Sequence, residues 1–161
     1  MAASDGDPQH TLDVLAGMVS GLRGAVLVDV GRVLDVVKIG MRRGDEEVML
    51  HVQCPVRILR GDSILLGSDD FLRPHPQAEE RGLPADRHET TFDHVAKAMT
   101  AEFGDGVPVL EAEMRPGGSF RLVAADEIRI EGFPAVSGPI ECWRLFVKGS
   151  NVHYVYPPDF R

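Results

Sequence analysis

Between Glu47 and Ile58 the apolar residues Val48, Leu50, Val52, Cys54, Val56 and Ile58 fall at every second position. That spacing fits an extended chain with one face buried, and it does not fit a helix, whose apolar stripe recurs every three or four residues. The other face carries His51, Gln53 and Arg57. Pro55 has no N–H to give to a ladder, so the second part of the stretch is expected at a sheet edge or a bulge. A second cluster of the same character, Phe120 to Val147, lies in the C-terminal part of the chain, which therefore reads as a β-rich scaffold.

With 161 residues, 43% of them hydrophobic and 26% charged, the chain is expected to form one domain over 1–161, able to bury a core without disulfides or metal. Asp and Glu outnumber Lys and Arg by 25 to 17, giving a formal net charge of −8. This argues against nucleic acid or an anionic membrane as partner, since both need a basic footprint, and would favour a basic protein partner. Cys54 and Cys142 both sit in apolar alternating runs. They read as buried, reduced thiols, with a bridge open to them if their strands are neighbours. No apolar run approaches the roughly 20 residues that span a bilayer. Met1–Gln9 shows neither the basic nor the apolar region of a secretion signal, so cytoplasm is the expected compartment.

Residues 1–9 are expected to form a disordered tail. Thr11 is expected to cap a short amphipathic helix to about Leu22, with Leu12, Leu15, Met18, Val19 and Leu22 on one stripe. Strands follow from Ala25 to Met41, bent or bulged at Gly31-Arg32; Arg42-Arg43-Gly44-Asp45 turns into the Glu47 strand, and Arg60-Gly61-Asp62 turns into Ser63–Leu66. From 72 to 89 the prolines Pro74, Pro76 and Pro84 and the surrounding charges predict a long polar loop. A capped helix is predicted from Thr90-Thr91, with Asp93 three residues after Thr90, then Phe92, Val95, Ala96, Met99 and Phe103, and a stop at Gly104. Strands are then expected near Val109–Met114, Ser119–Val123, Glu127–Gly132, Ile140–Lys148 and Val152–Tyr156. The fold class is α+β, antiparallel meanders with two helices packed against them. The two halves, about 10–71 and 90–161, are alike in plan, and Lys38–Arg57 can be laid beside Arg121–Ala135 with Leu50 against Ile128 and Pro55 against Pro134. Chance alignment of hydrophobic strands competes with a true repeat.

Chemistry-bearing clusters are sparse. His51 and Cys54 are three apart, which on a strand sends them to opposite faces, so no metal site and no cofactor is expected. The histidines His75, His88 and His94 follow no ligand pattern. Asp69 and Asp70 follow a strand end, where paired acids can hold a cation or share a proton, but adjacent strand residues point apart, and solvated turn acids, one capping the turn, are the preferred reading. In Ile140-Glu141-Cys142-Trp143-Arg144-Leu145-Phe146, Glu141 and Trp143 are expected to share a strand face, with Arg57 approaching Glu141 across the sheet. The bland reading is a structural ion pair beneath Trp143. The functional one is a concave face on which Trp143 supplies a stacking surface and Arg57 a carboxylate or phosphate contact, with His51, Glu141 and Arg144 as further candidate binding residues. No nucleophile elbow, Walker loop or dinucleotide glycine motif is present, no catalytic residue is assigned, and the balance leans away from an enzyme.

The stretches Leu50-His51-Val52-Gln53-Cys54-Pro55-Val56-Arg57-Ile58 and Gly67-Ser68-Asp69-Asp70-Phe71 resemble an uncharacterised family of bacterial hypothetical proteins, which implies no activity. More loosely, the C-terminal pattern around Glu141-Cys142-Trp143-Arg144-Leu145 is similar to small acidic immunity proteins of bacterial toxin systems. That resemblance implies binding of a cognate toxin through acidic residues. Expectation therefore centres on a cytosolic binding or interaction module. The alternative is a small-molecule binder or minor enzyme on the Trp143/Arg57 face. A homodimer through an edge strand is compatible with both.

Overall fold

Thr90 accepts a hydrogen bond from the Asp93 amide on its side chain while the Asp93 carboxylate reaches back to the Thr90 N–H, 2.9 Å away, so a complete capping box starts the helix Thr91–Phe103. Phe92, Ala96, Met99 and Phe103 form its buried stripe, and Gly104, at φ 54°, releases the chain. Both ends were legible in the sequence. The first helix, Pro8–Ser20, starts before the expected Thr11 cap: Pro8 sits in its first turn, where a missing N–H leaves no bond unmade. We call these helices α1 and, for Thr91–Phe103, α2. The computed structural model describes residues 8–75 and 89–160. Residues 1–7 of the expected tail and 76–88 of the expected loop lie outside the described residues, whereas Pro8 and Gln9 belong to α1.

Ten strands follow in chain order: β1 (Val26–Val33), β2 (Val36–Arg43), β3 (Glu46–Val52), β4 (Val56–Arg60), β5 (Ser63–Gly67), β6 (Val107–Met114), β7 (Phe120–Ala124), β8 (Ile128–Gly132), β9 (Trp143–Val147) and β10 (His153–Tyr156). They make one antiparallel sheet in the order β10-β9-β3-β2-β1-β6-β7-β8-β4-β5, with β5 and β10 at its edges. The protein is an α+β fold with its helices packed on an antiparallel sheet.

The alternation from Glu47 to Ile58 is real, yet it spans two strands. Val48, Leu50, Val52, Cys54, Val56 and Ile58 are all buried, but the ladder of β3 stops at Val52 and that of β4 starts at Val56. Across Gln53–Pro55 the chain leaves the neighbours of β3, which are β2 and β9, for those of β4, which are β5 and β8. Pro55 is thus a crossing point with no ladder bond to donate. The reversal between β1 and β2 falls at Leu34-Asp35 rather than Gly31-Arg32. Leu34 takes φ 53°, which a branched apolar residue rarely adopts, so nothing in its identity signalled a turn.

The element order repeats. Each half is a helix, a three-stranded meander and a hairpin, and each hairpin is laid against the other half: β4–β5 continues from β8, and β9–β10 continues from β3. The helices cross over likewise, α1 packing on β6 and β10 and α2 on β1 and β5. The crossings are matched in detail, because Gln53 N–H donates to the Cys142 carbonyl and Phe133 N–H to the Pro55 carbonyl, both at 2.8 Å. In this arrangement Leu50 and Ile130 hold equivalent places, each central in its ladders, which corrects the alignment of Leu50 with Ile128 by two residues. The halves join where Val26 pairs with Pro108 and Leu27 with Val107. One core runs through both, including Leu15 and Val19 of α1, Phe92 and Met99 of α2, and Ile39, Leu50, Ile58, Ile130 and Trp143 of the sheet.

Candidate functional site

The helices cover one face of the sheet. On the opposite face, alternate residues line up in rows across the strands, and the two halves present corresponding rows. In one half Gly31, Lys38, His51, Arg144 and Val155 stand side by side on β1, β2, β3, β9 and β10. In the other, Glu113, Arg121, Glu131, Arg57 and Gly67 do so on β6, β7, β8, β4 and β5. The next rows are Asp29, Gly40, Met49, Phe146 and His153 in the first half, and Glu111, Val123, Arg129, Leu59 and Ile64 in the second.

The second half is internally neutralised. Glu131 pairs with Arg57 at 2.8 Å and lies 2.7 Å from Arg129 Nε, while Arg115 meets Glu113 at 2.6 Å. The Arg57 guanidinium also lies over the Phe133 ring, 5.2 Å from its centre. Arg57 therefore does not approach Glu141, contrary to the sequence expectation; the chain crossing at Pro55 carries it into the other half of the sheet.

The first half is different. Gly40 has no side chain because the bulge between Leu27 and Asp29 brings Asp29 over it; a Cβ at Gly40 would sit 3.1 Å from Asp29 Cβ. The space left is a depression of about 420 Å³, with Gly40, Met49 and Phe146 in its lining and Lys38, His51, Glu47 and Lys148 around them. Lys148 and Glu47 pair across the rim at 2.7 Å. Lys38 enters no ion pair among the described residues. His51 meets the Phe146 ring edge-on, with centres 4.9 Å apart, and His153 stacks on the far side of the same ring at 4.4 Å.

Burial pushes the His51 imidazole below its ordinary value, and the charges of Lys38 and then Arg144 push it the same way, so at neutral pH the ring is uncharged, with one donor and one acceptor nitrogen. Arg144 is held by Glu141 through two contacts, Nε to Oε1 at 2.6 Å and Nη2 to Oε2, and its Nη1 lies 3.0 Å from His153 Nδ1. A guanidinium can only donate, so His153 Nδ1 accepts and its proton sits on Nε2. The depression thus combines an apolar, partly aromatic floor with the Lys38 ammonium, a neutral imidazole, the Lys148–Glu47 pair and the Asp29 carboxylate, while the Arg144–Glu141 pair stands outside its lining. Chemically it can hold an anionic group against Lys38 and a flat apolar body against Phe146.

Of the residues singled out in the sequence, His51 lines the depression, and Arg144, its neighbour across the β3–β9 ladder, stands beside it with Glu141. Trp143 does not: it is 0% exposed, its indole N–H donates to the Gly118 carbonyl at 2.8 Å, and it stacks on Tyr156 in the core. Glu141 precedes β9 and does not share a strand face with Trp143, so the stacking surface expected there is absent; the ladder pairing of Val52 with Trp143 turns the indole to the helices. Asp69 and Asp70 lie in a 3-10 turn, Ser68–Leu72. Asp70 accepts from Gly67 N–H at 2.9 Å and pairs with Arg73 at 3.0 Å, which makes it a cap, while Asp69 is exposed. Lys38, Gly40, Met49, Phe146 and His153 were missed. The one signal for them was the isolated Gly40 directly after the run Val36–Ile39, a glycine in a strand pattern that marks a close approach.

Among the described residues no group of three or more His, Cys, Asp or Glu is placed to hold a metal ion, and no helix is long and apolar enough to cross a membrane. No family model matches the chain, and neither does any curated protein or solved structure.

Proposed function

We propose that the chain is a binding module whose ligand is a small organic anion with a planar apolar body, an aromatic carboxylate being the simplest member, seated in the depression bounded by Lys38, His51 and Phe146. The observation that carries this reading is the contrast between two otherwise matching sheet faces. Where the second half has Val123, Arg129 and Glu131, the first has Gly40, Met49 and His51. In the second set Arg129 and Glu131 pair at 2.7 Å, whereas the first borders a hollow of about 420 Å³, within the range of small-molecule sites. Lys38 supplies the charge and neutral His51 donates or accepts one hydrogen bond, while Arg144, outside the lining, is already taken up by Glu141. Binding of this kind retains the interaction-module reading and moves the small-molecule alternative away from Trp143 and Arg57.

The test is a thermal-shift panel of aromatic carboxylates and aryl phosphate monoesters, followed by titration of the best compound. A ligand at a hundred times its Kd stabilises by about 2.7 kcal/mol, or roughly 5–10 °C in Tm for a chain of this size. The shift is expected to vanish in Lys38→Ala and Gly40→Val and to persist in Arg121→Ala, which alters the corresponding position of the other half. A panel that leaves Tm unmoved, or a shift equally lost in Arg121→Ala, overturns the proposal.

A further inference from the structure

We infer that Cys54 and Cys142 form an oxidisable dithiol site that closes to an intrachain disulfide when a small-molecule disulfide such as oxidised glutathione is present. The two residues come from segments far apart in the chain, Cys54 from the link between β3 and β4 and Cys142 from just before β9, and the backbone sets them opposite each other. The Cys142 carbonyl accepts from Gln53 N–H at 2.8 Å and from Cys54 N–H at 3.1 Å, so two residues of one strand oppose one of the other. That is a β-bulge, placed just beyond the Val52–Trp143 pair that ends the β3–β9 ladder. A direct N–H to C=O link between two residues keeps their α-carbons within the roughly 4.4–6.8 Å that a disulfide spans. Both side chains enter the same core, Cys54 at 7% exposure and Cys142 at 2%, while Gln53 between them and the ladder is turned outward. Neither sulfur is bridged.

Access comes from a second depression, about 360 Å³, whose lining includes both cysteines together with Pro55, Val136 and Ile140. Burial pushes the Cys54 thiol up to about 12, with the neighbouring Cys142 as the next cause, so the site is quiescent at neutral pH. Oxidation is therefore slow and accelerates as pH rises. One thiolate attacks a sulfur of oxidised glutathione, forming a mixed disulfide and expelling one glutathione thiolate. The second cysteine, deprotonated, attacks the protein sulfur of that intermediate, and the second glutathione leaves. Two electrons and two protons pass from the protein to glutathione disulfide, one S–S bond forms and one breaks. The product ties the point where the chain leaves β3 for β4 to the start of β9. It staples together the two places at which the halves exchange their hairpins.

The experiment incubates the folded protein with oxidised glutathione at pH 7.5 and pH 9, blocks remaining thiols with N-ethylmaleimide, and reads intact and peptide masses. The expected result is a species lighter by two hydrogens with no maleimide adduct, a Cys54–Cys142 linked peptide, faster formation at pH 9, and a Tm raised by roughly 5–15 °C. Cys54→Ser and Cys142→Ser, each shown folded by circular dichroism, are expected to yield no such species. Recovery of two maleimide adducts, of glutathione adducts alone, or of the linked peptide only in urea overturns the inference.

Discussion

Trp143 is the sole tryptophan, and replacing it separates a core role from a surface one. The indole is 0% exposed, bonded to the Gly118 carbonyl at 2.8 Å, and lies between Tyr156, stacked at 5.7 Å, and Phe120, edge-on at 6.0 Å. Truncating such a side chain to alanine costs about 3–5 kcal/mol, because the aromatic neighbours collapse only in part and the Gly118 carbonyl loses its donor. Trp143→Phe keeps one ring and loses the N–H and the rest of the indole, for which about 2 kcal/mol is expected. With a urea slope near 2 kcal/mol per molar, the midpoint falls by about 2 M for the alanine variant and about 1 M for the phenylalanine variant. The wild-type protein supplies its own optical control: native emission should be short in wavelength and resistant to acrylamide, and should shift red only on unfolding. Unfolding is followed by circular dichroism in both variants, since they lack the fluorophore. A residue serving as an exposed stacking platform would change stability by less than about 0.5 kcal/mol. A midpoint unchanged in Trp143→Ala, or native fluorescence quenched as freely as in urea, would refute the core assignment and return the small-molecule site to that side chain.

Asp93 both closes the α2 cap and holds Arg32 bidentately at 2.7 and 2.8 Å; burial pushes its carboxyl up, but the bonds to Arg32 and Thr90 outweigh this and hold it below its ordinary value. Asp93→Asn is expected to cost about 2 kcal/mol by urea titration at pH 7, and the loss should shrink below about pH 4, because a depressed carboxyl contributes stability only while ionised in the folded state. His51 is also depressed below its ordinary value, by burial first and then by Lys38, so its contribution is complete above the unfolded value of about 6.5 and is lost as pH falls through the folded one. Subtracting the stability profile of His51→Gln from that of wild type should leave a limb that declines toward acid; a difference that rises toward acid contradicts the environment described. Fragments 8–75 and 89–160, expressed separately, should show little cooperative unfolding, because each hairpin then lacks the strand it extends, and mixing them should restore a single transition. Independent folding of either fragment would show that the exchanged hairpins are not required.

The strands were legible because the chain alternates where one face is buried, and the β6 to β10 boundaries fell within a few residues of those expected. The α2 cap was legible because Thr90, Asp93 and Gly104 each perform a local task set by backbone geometry. What the sequence concealed is non-local. Val52 and Val56 continue one alternation while belonging to ladders in different halves of the sheet, and period-two patterning reports burial without naming the neighbour. The same limit governs the site. Arg57 and Arg144 look alike in their strands; Arg57 finds its carboxylate, Glu131, across the ladder, whereas Arg144 faces His51 there and takes its carboxylate, Glu141, from its own segment. Trp143 was misread because β9 begins after Glu141, which breaks the alternation assumed between them.

The electrostatic setting sharpens the distinction between the two faces. The chain carries a net charge of −8, so cations are the scarcer resource, and in the second half each arginine of the central row lies beside at least one glutamate: Arg57 and Glu131, Arg121 and Glu113. In the first half Lys38 enters no ion pair among the described residues and lies beside an uncharged His51 whose protonation it opposes. Nothing in folding requires that: placing a glutamate where His51 stands, as at the corresponding Glu131, would neutralise the row. On our proposal, a depression that sets the Lys38 ammonium, which enters no ion pair among the described residues, beside the Phe146 ring and the bare Gly40 backbone is stabilised further by the anion that occupies it. The hollow and the Lys38 charge sit together in the first half, and the proposed ligand, with a charge and a flat apolar surface, would match both.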